Sequence, residues 1–233
     1  MRNKFKIVLF IFFSITAYSQ NLKILKDSIF IDSNFMRIEE LKINLNNEKV
    51  KNKIYSITQS TYEIFEKPLL CLPEQRIKAK KDTLSNRVLK DALRETNSGF
   101  EHYEIYYDKN NIINISISLQ SYGSPWEAIQ YYCFDLNNGK RIGISLFVNQ
   151  QMLLKKIKSK LKDQDIILSI NPTVLLNFKI IANKNENISG IDFSIFDTEN
   201  YRNSGYEEFI VHFEWKEIEK YISSIYKKRL LEK

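Results

Sequence analysis

His102 and His212 are the only imidazoles in this chain, and they bound the acid–base chemistry open to it. A hydrolytic nucleophile needs a base within hydrogen-bond reach and donors aimed at an oxyanion. The sequence holds no G-x-S-x-G elbow, no H-E-x-x-H, and no P-loop or G-x-G-x-x-G. Zinc would have to join one histidine to distant carboxylates such as Glu104, Asp135, Asp192 or Glu208, with no spacing in support. Glu39-Glu40 and Glu207-Glu208 are the residue types a glycosidase pairs, but adjacent acids on a surface are ordinarily solvated. Both histidines alternate onto the face opposite the inferred core. No catalytic residue, metal ligand or cofactor is assigned, and binding is favoured over catalysis.

Aromatic residues offer the better contact chemistry. Tyr122, Trp126 and Tyr131 lie around the turn Gly123-Ser124-Pro125, with Tyr132 beside them. Rings supply rigid area at little entropic cost, which enriches them at contact surfaces. Tyr122, Trp126 and Tyr131 are therefore the candidate binding residues. The competing reading places Tyr132 in the core and Trp126 over a sheet edge. Cys71 and Cys133 form an even pair that would bridge in an oxidising compartment if their Cα atoms came within about 7 Å. Otherwise each is a small buried hydrophobe.

The elements that must position these residues are legible to different degrees. Residues 22–45 are ambiguous: Leu41, Ile43 and Leu45 alternate as a strand would, yet Ile38, Leu41 and Leu45 also fit one helical face. Val50, Ile54, Ile57, Thr61 and Ile64 follow a 4-3-4-3 spacing that predicts a helix from Asn47 to about Glu66, ended by Pro68. A second helix is expected from about Leu84 to Thr96. Tyr103, Ile105 and Tyr107 then share a face, Asp108-Lys109-Asn110 turns, and Ile113, Ile115, Ile117 and Leu119 alternate with Asn114, Ser116, Ser118 and Gln120. That polar row either forms an exposed face or lies beneath the N-terminal segment. Tyr132, Phe134 and Leu136 mark the return strand, closed by the turn Asn137-Asn138-Gly139. A third helix starts at Asn149 with Leu154, Ile157 and Leu161 inward. Strands follow near 174–182 and 188–196, then one carrying Phe209, Val211 and Phe213. A final helix carries Trp215, Ile218, Ile222 and Ile225. The expected fold is α+β: a mainly antiparallel sheet with helices packed on one face and a helical N-terminal part.

The first 19 residues speak to location. Arg2, Lys4 and Lys6 precede an apolar run from Ile7 to Tyr18, and Ala17-Tyr18-Ser19 forms a small-residue exit. That is the pattern of a secretory signal peptide. Crossing a bilayer takes about 20 apolar residues, and this run has 12. Residues 20–233 are read as one exported domain, periplasmic or extracellular. Residues 22–97 would form its mostly helical N-terminal part and 98–233 its sheet-forming part. Cleavage removes three of the positive charges, taking the net charge from +7 to +4. Acids and bases alternate along most of the chain, so nucleic acid is not an expected partner, and no membrane span is expected after cleavage. Lys227, Lys228 and Arg229 suit the last turn of a helix.

Ser121-Tyr122-Gly123 ahead of a strand ending in Phe134-Asp135-Leu136, with Gly139-Lys140 and an amphipathic helix after it, resembles a bacterial extracytoplasmic domain. It is the C-terminal domain of RsiV-type lysozyme-sensing anti-sigma factors, also found in some envelope polysaccharide deacetylases and in uncharacterised secreted proteins. The match spans roughly residues 100 to 228. Two positions depart from it: Val211-His212-Phe213-Glu214-Trp215 replaces a proline-containing entry to the last helix, and Trp126 occupies a place expected to be small or polar. The resemblance implies the fold and an envelope location, with a lysozyme-like protein as candidate ligand, but not the sensor's signalling role; the leading reading is a non-enzymatic envelope module that binds such a protein or a glycan, peptidoglycan included. The alternatives are an envelope hydrolase or its accessory subunit, and a structural envelope component without a discrete ligand.

Overall fold

The computed structural model describes residues 21–31, 34–59, 72–95, 99–121, 127–183, 187–196 and 208–232. Residues 1–20, Cys71, Tyr122 and Trp126 lie outside them.

The ambiguous N-terminal stretch resolves as a hairpin of β1 (Leu22–Ile31) and β2 (Asn34–Ile43), so the N-terminal part opens with a two-stranded sheet and an all-helical beginning is not supported. The strand period is hard to see because Glu39 and Glu40 occupy buried positions where apolar residues would otherwise complete the alternation. The helix α1 (Glu48–Thr58) follows, its Asn47 side chain accepting from the Val50 N–H at 3.2 Å. Its Tyr55 hydroxyl accepts from the Ile43 N–H at 2.9 Å, and burial pushes that phenol up to about 12.

An unexpected helix precedes the one expected from about Leu84 to Thr96, which is present as a separate helix. α2 (Pro73–Ser85) has proline in its first turn and is followed by α3 (Arg87–Glu95). α2 buries Arg76, Ala79, Lys80, Thr83 and Leu84. Charged residues on the inward face remove the apolar stripe that would have announced it.

The middle of the chain is a four-stranded antiparallel sheet of β3 (Gly99–Lys109), β4 (Ile112–Ser121), β5 (Glu127–Asp135) and β6 (Lys140–Arg141), in that order. Asn110 and Asn111 join β3 to β4, both at positive φ, as a two-residue turn of this hand requires. After the helix α4 (Gln150–Lys162) comes a three-stranded sheet, β7 (Phe178–Ala182), β8 (Ile188–Phe196) and β9 (Glu208–Glu214). The α+β class holds, but there are three antiparallel sheets rather than one.

Helices do not lie on one face only, because both faces of β4 are buried. Ile113, Ile115 and Ile117 pack with Leu22, Leu41, Ile43, Val50 and Ile54 from the hairpin and α1. On the other face Ile112 and Cys133 join a core with Phe178, Phe193, Val211 and Phe213 from the second sheet and Leu153, Ile157 and Leu161 from α4. Asn114 explains how a polar row can lie inside. Its amide donates to the carbonyls of Tyr132 (3.0 Å) and Phe178 (3.1 Å) and accepts from the Ile180 N–H at 2.7 Å. The edge of β7 is thereby satisfied by a side chain, and β7 packs against β3, β4 and β5 together.

The final helix is interrupted. α5 (Trp215–Ile218) passes through a 3-10 turn to Ile222, which bridges to Phe147, before α6 (Ser224–Leu231). Ile225 is consequently 70% exposed rather than inward. Gly190 is set by this packing: a Cβ there would sit 2.3 Å from the Phe213 carbonyl oxygen.

Candidate functional site

Where β7 meets the four-stranded sheet, the outer face of the second sheet and the polar face of the first form a corner. A register irregularity between Ile105 and Tyr107 interrupts the alternation of β3 beside Tyr106. The Tyr106 hydroxyl donates to Glu104 at 2.6 Å and lies 2.7 Å from the Ser116 hydroxyl. Beside it, the Tyr131 hydroxyl donates to Glu208 at 2.7 Å. The two rings stack with centroids 6.3 Å apart. The Lys179 ammonium lies 5.3 Å from one centroid and 5.5 Å from the other.

Burial raises both phenols well above the ordinary tyrosine value. The bonds to Glu104 and Glu208 add to this, while Ser116 and the buried Ser194 hydroxyl beside Tyr131 oppose it. Both are therefore neutral donors near pH 7, each holding one carboxylate oxygen. The second oxygen of each carboxylate is not taken by its phenol. Glu104 is exposed and Glu208 half-buried. This is a pair of fixed acceptors next to a cation: chemistry suited to hydroxyl groups or to basic side chains.

The sequence-derived candidates fare unevenly. Tyr131 is 1% exposed, so its ring is no contact surface; its phenol instead positions Glu208. Tyr132 lies in the core, stacked on Phe134 with Arg141 over its ring. Tyr122 and Trp126 are outside the described residues. Cys133 is a buried free thiol whose pKa burial pushes up; Cys71, its suggested partner, is outside the described residues.

The histidines are placed apart. His102 Nδ1 lies 3.9 Å from Glu39. His212 is on the outer face of the second sheet, its Nδ1 2.6 Å from Asp192 and its Nε2 3.3 Å from Glu214. Burial works against the charged ring, but the two carboxylates outweigh it and raise its pKa. Such an imidazole is engaged at both nitrogens and disposed to stay protonated, which makes it a poor general base. Among the described residues no group of three or more His, Cys, Asp or Glu is arranged to hold a metal.

In the sequence Glu104 and Glu208 stand out as distant zinc ligands, and Glu208 also as half of the adjacent pair Glu207-Glu208, while Tyr106 and Lys179 carry no motif. Tyr106 stands opposite the core face of β3 in the sequence pattern, as an aromatic residue on a polar face, and that was the one available signal.

No family model matches the chain, and no curated protein matches it. The likeness to the RsiV-type domain thus rests on the Ser121-Tyr122-Gly123 turn and the Phe134-Asp135-Leu136…Gly139-Lys140 segment. Among the described residues no helix is long and apolar enough to cross a membrane.

Proposed function

We propose that this chain is an exported cell-envelope module, periplasmic or extracellular, that binds a protein or glycan without carrying out a reaction on it. The corner of Glu104, Tyr106, Lys179 and Glu208 is its contact site. One observation carries the reading: two carboxylates from separate sheets are each held by a tyrosine hydroxyl, at 2.6 and 2.7 Å. Acceptors fixed before the ligand arrives lose less entropy on binding. Paired carboxylates with an aromatic side chain alongside suit the hydroxyls of a sugar, and equally the lysines and arginines of a basic protein such as a lysozyme.

A hydrolase reading would centre on His212 and Asp192. The second carboxylate, Glu214, argues against it, because together with Asp192 it favours the charged form of the ring and occupies the second ring nitrogen.

The test is retention of the chain on immobilised c-type lysozyme and on insoluble peptidoglycan, followed by calorimetry on whichever retains it. Saturable binding supports the reading. Turnover of peptidoglycan that is lost in His212→Gln would replace it with the hydrolase.

A further inference from the structure

We propose that the exposed face of α4 is a membrane-surface contact, which lays a ridge of lysines against the phosphates of an anionic bilayer. The helix reads QQMLLKKIKSKLK, with five lysines and no acid. Leu153, Ile157 and Leu161 form its buried stripe. Lys155, Lys158 and Lys162 recur at i, i+3 and i+7 on the solvent side. They make one ridge about 10.5 Å long, at about 1.5 Å of rise per residue. Lys156 is exposed beside it.

Helix stability does not account for this ridge. Only Lys160 is engaged: its ammonium lies 2.7 Å from Glu217 on α5, donates to the His212 carbonyl at 3.0 Å and sits over the Phe213 ring. Among the described residues no carboxylate comes within ion-pair distance of Lys155, Lys156, Lys158 or Lys162. Like charges three and four residues apart destabilise a helix. The macrodipole favours cations in the last turn, which holds Lys160 and Lys162 but not the other three.

The surroundings leave the charge standing. Asp163 and Asp165 follow in the turn at the C-terminal end of α4, and residues 166–178 hold no acid. That segment returns beside the helix: the Ile166 N–H bonds to the Leu161 carbonyl at 3.0 Å, and the 3-10 turn Pro172–Leu176 packs against α4. On the flank formed by α5, Glu217 is taken by Lys160 and Glu219 by Lys227. Four unpaired lysines therefore stand against two acids, both beyond the end of the helix.

Two observations favour a bilayer over a soluble polyanion. Exposed apolar side chains bracket the ridge along the helix axis: Met152 (61% exposed) just before it and Ile167 (92%) just past the last turn. Contacts with a lipid interface combine apolar residues with lysines in this way, whereas a soluble phosphate chain is tracked by a groove, and a helix ridge is convex. The second observation is polarity across the second sheet. α4 packs on its inner face, with Phe193, Val211 and Phe213, while Lys179, Asp192 and His212 alternate onto its outer face. The described residues of that outer face and the corner set Glu104, Asp192, Glu208 and Glu214 against Lys179 and His212. An extended anionic plane attracts one side and repels the other, so docking through α4 turns the corner away from the surface. This inference does not depend on the corner's ligand.

Residues 7–18 form an apolar run of their own, so the readout must be local to α4. Met152→Trp in the full chain supplies it, with the spectrum of the unsubstituted protein subtracted; Ser159→Trp, also exposed on α4, is a second reporter should the first disturb folding. Vesicles of phosphatidylcholine alone are compared with vesicles that also contain phosphatidylglycerol. The expected result is a blue shift of the reporter on the anionic vesicles only, lost in about 1 M salt, where the screening length falls to about 3 Å. In the reporter background Lys155→Gln, Lys158→Gln and Lys162→Gln together should weaken vesicle affinity roughly a hundredfold, at about fivefold per lysine near an anionic surface. Lys23→Gln, Lys49→Gln and Lys53→Gln, on the hairpin and α1 across the four-stranded sheet from α4, remove the same charge and should change it by less than about fivefold. An affinity that the ridge variant leaves unmoved, or that both triple variants lower equally, would overturn the proposal. A reporter that stays water-exposed on anionic vesicles would also overturn it; retention on polyphosphate lost in the ridge variant would then assign the lysines to a soluble polyanion.

Discussion

Asp135 receives a two-pronged hydrogen bond from Arg229, at 2.9 Å to one carboxylate oxygen and 3.0 Å to the other, across 94 residues. The same carboxylate caps its own turn, accepting from the Asn137 N–H at 3.0 Å and the Asn138 amide at 3.2 Å. Arg229 also reaches the carbonyls of Asn110 and Asn111 in the β3–β4 turn. The aspartate of the Phe134-Asp135-Leu136 segment therefore ties α6 to two turns of the four-stranded sheet. Its role is to hold the fold together.

Arg229→Ala should lower the unfolding free energy by about 2–3 kcal/mol, the scale of hydrogen bonds to a charged group plus the cost of a stranded carboxylate. Burial opposes ionisation of Asp135, yet Arg229 and the turn donors hold its pKa below 3.8. A depressed pKa contributes stability that is present above the unfolded value and lost as pH falls through the folded one. Urea unfolding of wild type and variant near neutral pH, repeated below pH 3.8, checks both: the gap between them should shrink in acid.

The second prediction concerns Lys80, which is fully buried. Its ammonium donates to the Glu39 carbonyl and lies 2.6 Å from Glu40 and 2.9 Å from Glu101, with Arg76 3.0 Å from Glu40. Lys80→Met should cost about 3–5 kcal/mol, because it strands buried carboxylates. Replacing Glu40, Arg76, Lys80 and Glu101 together with apolar residues of similar volume should be near neutral or stabilising. Denaturant titration of the two variants separates a stabilising cluster from one that is merely costly to break.

This cluster also marks how far the fold could be read in advance. The isoleucine alternation of β4 and the Asn137-Asn138-Gly139 turn follow plain periodicity and turn chemistry, as do the strands 188–196 and 208–214. The N-terminal hairpin and α2 do not, because Glu39, Glu40, Arg76 and Lys80 occupy core positions that a hydrophobic pattern assigns to solvent. The last helix is mistaken for a continuous one because Trp215, Ile218 and Ile222 keep helical spacing while Ile222 pairs with Phe147. The corner is hidden for a different reason. Glu104, Lys179 and Glu208 are ordinary surface residues in their own strands, and only the docking of β7 through Asn114 brings them together.

His212 should titrate above its ordinary value of 6.5, and Asp192→Asn should bring its midpoint down. A raised histidine pKa adds stability that is fully present below the unfolded value and lost as pH rises through the folded one. With the ring 45% exposed, that gain is small. Imidazole proton shifts followed by NMR across the titration are the direct check, and an unmoved midpoint in Asp192→Asn would remove the 2.6 Å pair from the account.

The corner is tested most directly by calorimetric titration of wild type and the double variant Glu104→Gln, Glu208→Gln with c-type lysozyme and with soluble peptidoglycan fragments. A charge-assisted hydrogen bond is worth about 1.5–3 kcal/mol, and about 1.4 kcal/mol is a factor of ten. The account predicts saturable binding of one ligand by wild type, weakened at least about tenfold in the double variant with thermal stability unchanged. Wild-type affinity retained by the double variant would contradict it.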